Sequence, residues 1–123
     1  MTDPAFPHVL VVEDDRDCAE ELAELLECFG CKVTLAGSIA EARVARVTSG
    51  IRMAVVDLGL AGESGLDLAL EWSGDRDVRV VVLSGRTLTP GERAAFVAGP
   101  PVVLLKPASG TQILQALGLP ASA

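Results

Sequence analysis

The chain alternates short apolar runs with helix-like segments five times, and this pattern leaves few folds open. The predicted strands lie near residues 8–13, 32–36, 51–57, 79–84 and 102–105. Four of these runs are continuous and lack the polar alternation of a half-exposed strand. Burial on both faces follows, which is typical of a parallel sheet with helices on either side.

The length fits one such sheet. A chain of 123 residues can bury a core without disulfides or a structural metal. We expect a single domain over residues 1–123, with a core at 8–117 and short tails at 1–7 and 118–123. A five-stranded βα chain usually folds as a doubly wound α/β sheet, and the expected strand order is the flavodoxin-like 2-1-3-4-5. In that order a ligand crevice opens where strands 1 and 3 lie side by side.

Helix boundaries are marked by capping-type pairs, in which a hydroxyl residue precedes an acidic or amide residue by three positions. The pairs are Ser38 with Glu41, Ser64 with Asp67, Thr89 with Glu92 and Ser109 with Gln112. The first helix is predicted near residues 15–29. Its apolar stripe comprises Ala19, Leu22, Leu25, Leu26 and Phe29. The last helix should stop by about residue 117, because Gly118 and Pro120 follow.

Charge and hydropathy exclude some classes of protein. The net charge of −7 leaves no basic stripe for a polyanion, so we expect no direct contact with nucleic acid. No apolar stretch approaches the roughly 20 residues of a membrane span, and the N-terminus lacks the pattern of a signal peptide. These observations favour a cytoplasmic protein that binds proteins or small ligands.

The segment Cys28-Phe29-Gly30-Cys31 has a CxxC spacing, which could indicate a redox pair or half of a zinc site. No second CxxC and no histidine pair accompanies it, and Gly30 has the position of a helix-ending residue. We therefore expect Cys28 to face the core at the end of the first helix. Cys31 should enter the next strand as a small hydrophobe.

Charged and polar residues follow the apolar strands directly. Glu13 and Asp14 follow the first strand, Asp57 ends the third and Lys106 follows the fifth. Carboxylates held close together resist ionisation unless a cation compensates them. Mg²⁺ suits such a site, because it binds one or two carboxylates together with waters and phosphate oxygens, and a backbone carbonyl of the following loop could add a ligand.

Two further groups complete a site for phosphoryl transfer. Ser84 ends the fourth strand and offers a hydroxyl donor. The ammonium group of Lys106 could neutralise charge on phosphoryl oxygens. Asp57 is then left as the attacking oxygen that would form an acyl phosphate.

With these residues the chain resembles a response-regulator receiver domain of two-component signalling or phosphorelay systems, over essentially all of residues 8–117. The matching positions are the acidic pair Glu13 and Asp14, the phosphoacceptor Asp57, the metal-binding carbonyl of Gly59, the hydroxyl residue Ser84 and Lys106. The resemblance implies Mg²⁺ as cofactor and a histidine kinase or histidine phosphotransfer protein as phosphodonor. It also implies that the protein is not an enzyme but a signalling phosphoacceptor that promotes its own phosphorylation and dephosphorylation. In this family the peptide bond that corresponds to Lys106-Pro107 is usually cis.

One family feature is missing. Receivers usually carry Tyr or Phe three residues before the lysine, and Val103 stands at that position. Two prolines, Pro100 and Pro101, stiffen the approach to the last strand. We therefore expect the face formed by helix 4, strand 5 and helix 5 to act as a constitutive apolar docking surface or to lack ring-coupled switching. A homodimer through this face is one prediction.

Three alternatives belong to other classes. A phosphorylation-independent adaptor or dimerisation module on the same fold is favoured by Val103, whereas the intact acids, Ser84 and Lys106 argue against it. A haloacid-dehalogenase type of hydrolase needs a second aspartate two residues after the nucleophile, and Gly59 occupies that position. A thioredoxin-like enzyme would need the CxxC to open a helix, whereas here it ends one.

Overall fold

A computed structural model describes residues 7–60, 62–96 and 101–119 of the chain. Strands and helices alternate in these ranges. In chain order they are β1 His8–Val12, α1 Arg16–Cys28, β2 Lys32–Ala36, α2 Ile39–Ser49, β3 Met53–Asp57, α3 Gly65–Ser73, β4 Arg79–Ser84, α4 Pro90–Ala94, β5 Val102–Leu105 and α5 Gly110–Ala116. The predicted strands agree with these bounds within two residues.

The five strands form one parallel sheet in the order β2-β1-β3-β4-β5, so the prediction of a doubly wound α/β fold is confirmed. Strand β1 pairs with β2 on one side and with β3 on the other. In the β1–β3 register Val12 lies opposite Val56. The residues that directly follow these two strands therefore emerge side by side at the carboxyl edge of the sheet.

Two hydrophobic clusters fill the spaces above and below the sheet. Leu10 and Val12 of β1 face one cluster, which also contains buried residues of α2 and α3. Val9 and Val11 face the other, which contains buried residues of α1 and α5. Successive residues of a strand point to opposite faces, so a strand that feeds both clusters must be apolar throughout.

Helix α1 begins at an aspartate cap and ends at a glycine. The side chain of Asp15 accepts a hydrogen bond from the Cys18 amide. At the other end Gly30 has a φ of 90°, and the amides of Gly30 and Cys31 donate to carbonyl groups of the last turn, the pattern of a Schellman motif. The helix-ending role predicted for Gly30 is confirmed.

Two details of α1 differ from the predicted apolar stripe. Cys28 is exposed, so the expectation that it faces the core is wrong, whereas Cys31 is buried as predicted. Leu25 is also 36% exposed, and Ala23 takes a buried position instead. The buried face of α1 is thus made of small residues around Leu26, which lets the helix lie close to the sheet.

The predicted caps are confirmed at three of the four positions. Thr89 and Ser109 form complete capping boxes, and the Ser38 side chain accepts a hydrogen bond from the Glu41 amide. Ser64 stands at the N-cap of α3, so the predicted helix start is confirmed, but its side chain forms no cap hydrogen bond and the predicted capping pair with Asp67 is wrong. The Asp67 amide donates to the Ser64 backbone carbonyl at 3.1 Å instead.

Helix α5 ends as expected near residue 117, with Gly118 at a φ of 79°, while Pro120 lies outside the described residues. Among the helices of the described residues, none combines the length and the apolar character that crossing a membrane requires.

Candidate functional site

The carboxyl edge of the sheet is fixed by backbone hydrogen bonds that continue the strand pairing past the strand ends. The Glu13 amide donates to the Ala36 carbonyl at 3.0 Å, and the Lys106 amide donates to the Ser84 carbonyl at 2.8 Å. The Leu58 amide donates to the Leu83 carbonyl at 2.9 Å. The side chains at this edge are therefore carried by a rigid backbone.

Three of the predicted site residues form an acidic cluster. Glu13, Asp14 and Asp57 each offer a carboxylate oxygen, and these oxygens lie within 4.8 Å of one another. Asp57 is buried, with 7% of its surface exposed, Glu13 is half-buried and Asp14 is exposed. The cluster therefore opens to solvent on the Asp14 side and is closed behind Asp57.

Lys106, the residue that follows β5, joins this cluster. Its Nζ lies 3.1 Å from Asp57 Oδ1 and 3.9 Å from Glu13 Oε2. Two backbone amides also donate to the acids, from Gly59 to Asp57 Oδ1 at 3.3 Å and from Asp15 to Glu13 Oε1 at 3.0 Å. The structure thus brings the predicted acids and the predicted lysine together.

The pKa values of Glu13 and Asp57 shift in opposite directions. Burial, and next the hydrogen bond to Asp57, raises the pKa of Glu13 to about 7. Burial also opposes ionisation of Asp57, but hydrogen bonds from Glu13, Lys106 and the Gly59 amide outweigh it and hold the pKa of Asp57 below its usual value. Burial likewise opposes the charge on Lys106, yet the adjacent Asp57 raises the pKa of Lys106.

The donor set fits a hard divalent cation. It consists of carboxylate oxygens, which Mg²⁺ and Ca²⁺ prefer. Burial, and next the hydrogen bond to Asp57, raises the pKa of Glu13, so Glu13 takes up a proton at a pH where a free glutamate is ionised. A bound cation would replace that proton.

Ser84 ends β4 and is almost completely buried, with 1% of its surface exposed. Its Oγ donates to the Arg86 carbonyl at 2.5 Å and accepts from the Arg86 amide at 3.0 Å. The hydroxyl predicted to serve the site is therefore engaged by its own loop in this structure.

Glu63, in the loop between β3 and α3, and Gly65, the first residue of α3, were given no role by the sequence analysis. A Cβ at Gly65 would lie 2.0 Å from the Asp57 carbonyl oxygen, so only glycine lets α3 begin directly against the Asp57 backbone. Glu63 Oε1 accepts a hydrogen bond from the Ile39 amide at 3.2 Å, which ties this loop to the start of α2. The glycine at the first position of a predicted helix was the available signal for Gly65.

The position usually taken by an aromatic ring holds Val103, which is half-buried against the cluster beside α2 and α3. The Lys106–Pro107 bond is cis, as the resemblance implied. Of the two prolines before β5, Pro101 is described, whereas Pro100 lies outside the described residues. Val102 and Leu105 of this edge strand are 43% and 51% exposed.

A groove of about 910 Å³ runs beside the acidic cluster, between α1 and the segment that leads into α5. Glu13 and Lys106 lie at the end of the groove that meets the cluster. The remaining lining residues belong to α1, β4, the segment before α5 and α5 itself: Cys18, Glu21, Leu22, Glu24, Leu25, Cys28, Leu83, Pro107, Ala108 and Ile113.

Similar proteins are response regulators. The chain is 36% identical over 110 residues to the acid tolerance regulatory protein ActR of Rhizobium meliloti, which covers 89% of this chain and 57% of that protein. It is 34% identical over 110 residues to the photosynthetic apparatus regulatory protein RegA of Cereibacter sphaeroides, covering 89% of this chain and 60% of that protein. The chain thus spans under two thirds of the length of these relatives.

Solved structures show the same fold. A response regulator of Burkholderia pseudomallei, crystallised with a phosphorylated aspartic acid, a calcium ion and citrate, superposes with a TM-score of 0.78 at 32% identity, covering 90% of this chain and 66% of that one. The receiver domain of Francisella response regulator 1452 superposes with a TM-score of 0.74 at 25% identity, covering 89% of this chain and 93% of that one. The family model of the response regulator receiver domain matches residues 9–118. This chain therefore belongs to the receiver domains of response regulators, the signalling phosphoacceptors of two-component systems.

Proposed function

We propose that Asp57 accepts a phosphoryl group from a phosphohistidine of a histidine kinase or histidine phosphotransfer protein, with Mg²⁺ as cofactor. The observation that carries this proposal is the 3.1 Å contact between Lys106 Nζ and Asp57 Oδ1 beside two further carboxylates. In the transfer a carboxylate oxygen of Asp57 forms a bond to phosphorus as the phosphorus–nitrogen bond to histidine breaks. The histidine leaves with its bonding electron pair and takes up a proton.

The residues around Asp57 have separate roles in this proposal. Asp57 is ionised at neutral pH because its pKa is lowered, so an oxygen lone pair is available for attack. Lys106 neutralises charge on the transferred phosphoryl oxygens, and the buried Ser84 hydroxyl donates to one of them. Glu13, Asp14 and the Gly59 carbonyl would hold Mg²⁺ together with Asp57. When bound, Mg²⁺ supplies charge neutralisation between the carboxylates and the phosphoryl oxygens.

The groove beside the site suits the phosphodonor. Leu22 and Leu25 of α1 and Ile113 of α5 give it an apolar floor, and Glu21 and Glu24 give it an acidic side. A partner helix with an apolar stripe and basic flanks would match this surface in shape and charge. Such a helix would bring its phosphohistidine to the end of the groove, where Lys106 lies.

One experiment tests the transfer directly. Intact-protein mass is measured after incubation with Mg²⁺ and phosphoramidate, for the wild-type protein and an Asp57→Asn variant. We expect one phosphoryl increment in the wild-type protein, lost in the variant and lost without Mg²⁺. Asp77→Asn, at the opposite edge of the sheet, is the matched control and should keep the increment. An increment that persists in Asp57→Asn would refute the assignment.

A second candidate function is a phosphorylation-independent adaptor or homodimer. It is favoured by Val103, which removes the aromatic ring, and by the exposure of Val102 and Leu105 on the edge strand β5. A folded protein that takes up no phosphoryl group but forms a dimer would support it. Loss of that dimer in Leu105→Lys would place the interface on the face of α4, β5 and α5.

A further inference from the structure

The loop between β4 and α4 holds the hydroxyl that the site needs. A serine hydroxyl has a single proton to donate, and Ser84 gives that proton to the Arg86 carbonyl. Its oxygen also accepts the Arg86 amide at 3.0 Å. To donate to a phosphoryl oxygen on Asp57, Ser84 must therefore release the Arg86 carbonyl. The conformation of Arg86 decides whether the hydroxyl is available.

The side chain of Arg86 is held in turn by α4. Its two terminal nitrogens donate to the two carboxylate oxygens of Glu92 at 2.8 and 2.9 Å, which is a bidentate contact. One of these nitrogens also donates to the Thr87 carbonyl at 3.1 Å. Hydrogen bonds from Arg86 lower the pKa of Glu92 to about 2, so the pair stays charged at neutral pH.

Glu92 is also part of the first turn of α4. It forms a capping box with Thr89, in which the Thr89 amide donates to Glu92 Oε1 at 2.8 Å and the Glu92 amide donates to Thr89 Oγ1 at 3.1 Å. Leu88, which precedes α4 in the chain, and Phe96, which follows it, are both buried in the core. The Glu92 carboxylate therefore connects the Arg86 loop to the first turn of α4, and the buried residues that flank α4 hold this helix against the core.

We propose that the Arg86–Glu92 ion pair is a latch that holds Ser84 in its own loop and couples release of that hydroxyl to the first turn of α4. This proposal rests on the proposed function, since it concerns regulation of the same site. Val103 offers no ring to connect the site with α4, and the polar chain from Ser84 through Arg86 to Glu92 provides the connection instead. Arg86 and Glu92 act here as positioning residues.

The test uses variants that open the latch and keep the helix cap. Glu92→Gln removes the charge, and glutamine can serve in the capping box, as Gln112 does with Ser109 at the start of α5. Arg86→Gln opens the latch from the other side, and a double variant completes the cycle. The matched control is Glu71→Gln, which breaks another bidentate pair, with Arg43, between α2 and α3.

The first measurement is hydrogen exchange of the Arg86 amide in the unphosphorylated proteins by NMR. An exposed ion pair shifts a local equilibrium by about two- to fivefold, so we expect exchange to be faster by that factor in Glu92→Gln. Glu71→Gln should leave the rate unchanged. Unchanged exchange at Arg86 in Glu92→Gln would overturn the latch.

The second measurement is the rate of phosphorylation by phosphoramidate with Mg²⁺. Glu92→Gln, Arg86→Gln and the double variant should each react faster by a similar factor of about two to five, because each frees Ser84 more often. The gain should vanish in a Ser84→Ala background, which a merely structural effect would not do. A gain that persists without Ser84 would also refute the latch. If the wild-type protein takes up no phosphoryl group, the proposed function fails, while the exchange result still decides the latch.

Discussion

The ion pairs at the carboxyl edge of the sheet differ from those between α2 and α3. At the edge, Lys106 faces both Asp57 and Glu13, and a third carboxylate lies nearby. Near α2 and α3, Arg43 of α2 forms an ion pair with Glu71 of α3, and Arg46 of α2 forms one with Asp75 in the turn after α3. One region holds more negative charge than it compensates, whereas the other is balanced.

This difference separates the candidate site from a structural contact. Burial, and next the hydrogen bond to Asp57, raises the pKa of Glu13 to about 7, and Asp57 stays ionised beside the ammonium group of Lys106. The pairs of α2 and α3 lower the pKa values of Glu71 and Asp75, mainly through hydrogen bonds from their arginines, and so favour the charged forms. A cluster with uncompensated carboxylates can bind a further cation. A balanced ion pair has no uncompensated charge to attract one.

The largest expected effect follows from removal of the cation at the edge. Lys106→Met should slow phosphorylation of Asp57 by phosphoramidate about 100-fold or more, the usual cost of losing a positioned charge that stabilises a transition state. The rate is followed by intact-protein mass. Arg43→Met, which removes a cation from the balanced region, should leave the rate unchanged. A loss of less than threefold in Lys106→Met would contradict the role given to Lys106.

The glycines at the two ends of α3 differ in the space beside them. Gly65→Ala places a Cβ 2.0 Å from the Asp57 carbonyl oxygen, whereas a Cβ at Gly74 meets no atom within 4 Å. We expect Gly65→Ala to lower the free energy of unfolding by about 1–3 kcal/mol, as overpacking does. Gly74→Ala should be neutral or stabilising by up to about 1 kcal/mol. Urea denaturation of both variants measures this, and equal stabilities would show that α3 can shift without cost.

The pH dependence of stability in the metal-free protein tests the raised pKa of Glu13. The pKa of Glu13 is about 7 in the folded protein against an ordinary value of 4.5, so the folded state binds more protons than the unfolded state between these values. Stability should therefore fall as the pH rises from about 4.5 to about 7. Asp57 does not contribute in this window, because its lowered pKa places its titration below 3.8.

The difference between wild-type protein and Glu13→Gln isolates this effect. Burial, and next the charge of Lys32, lowers the pKa of His8 from 6.5, which adds a slope of opposite sign that both proteins share. Thermal unfolding across this pH range in a chelating buffer should show the fall in the wild-type protein relative to Glu13→Gln. Parallel curves would contradict the shift. Addition of Mg²⁺ at pH 7.5 should stabilise the wild-type protein more than the variant.

The smallest effect is expected in the balanced region. Glu71→Gln should lower the free energy of unfolding by less than about 1 kcal/mol, because the Arg43–Glu71 pair is exposed to solvent. Its phosphorylation rate and its response to Mg²⁺ should match those of the wild-type protein. A change in either would mean that the α2–α3 contact reaches the site, for which the Glu63–Ile39 hydrogen bond offers a route.

Much of the fold could be predicted because a strand that is buried on both faces must be apolar at every position, which is visible in the sequence. The continuous apolar run Val9–Val12 contributes side chains to both clusters, as a strand of a parallel sheet covered by helices on both faces must. The errors of the sequence-based prediction concern which side chains of a helix face the core. Cys28 occupies the last turn of α1, where it is exposed and lines the groove, which hydrophobicity alone does not indicate.

By itself, the sequence determined the parallel sheet, the placement of Glu13, Asp57 and Lys106 at strand ends, and hence the family. Those features depend on local order along the chain, because a residue that ends a buried parallel strand must emerge at the shared edge. The tertiary structure decided which neighbours each group meets across that edge. The approach of α3 to the Asp57 backbone at Gly65 and the capture of Ser84 by the Arg86 loop are examples. Such contacts depend on distances of a few tenths of an ångström between segments, and residue spacing carries no information on that scale.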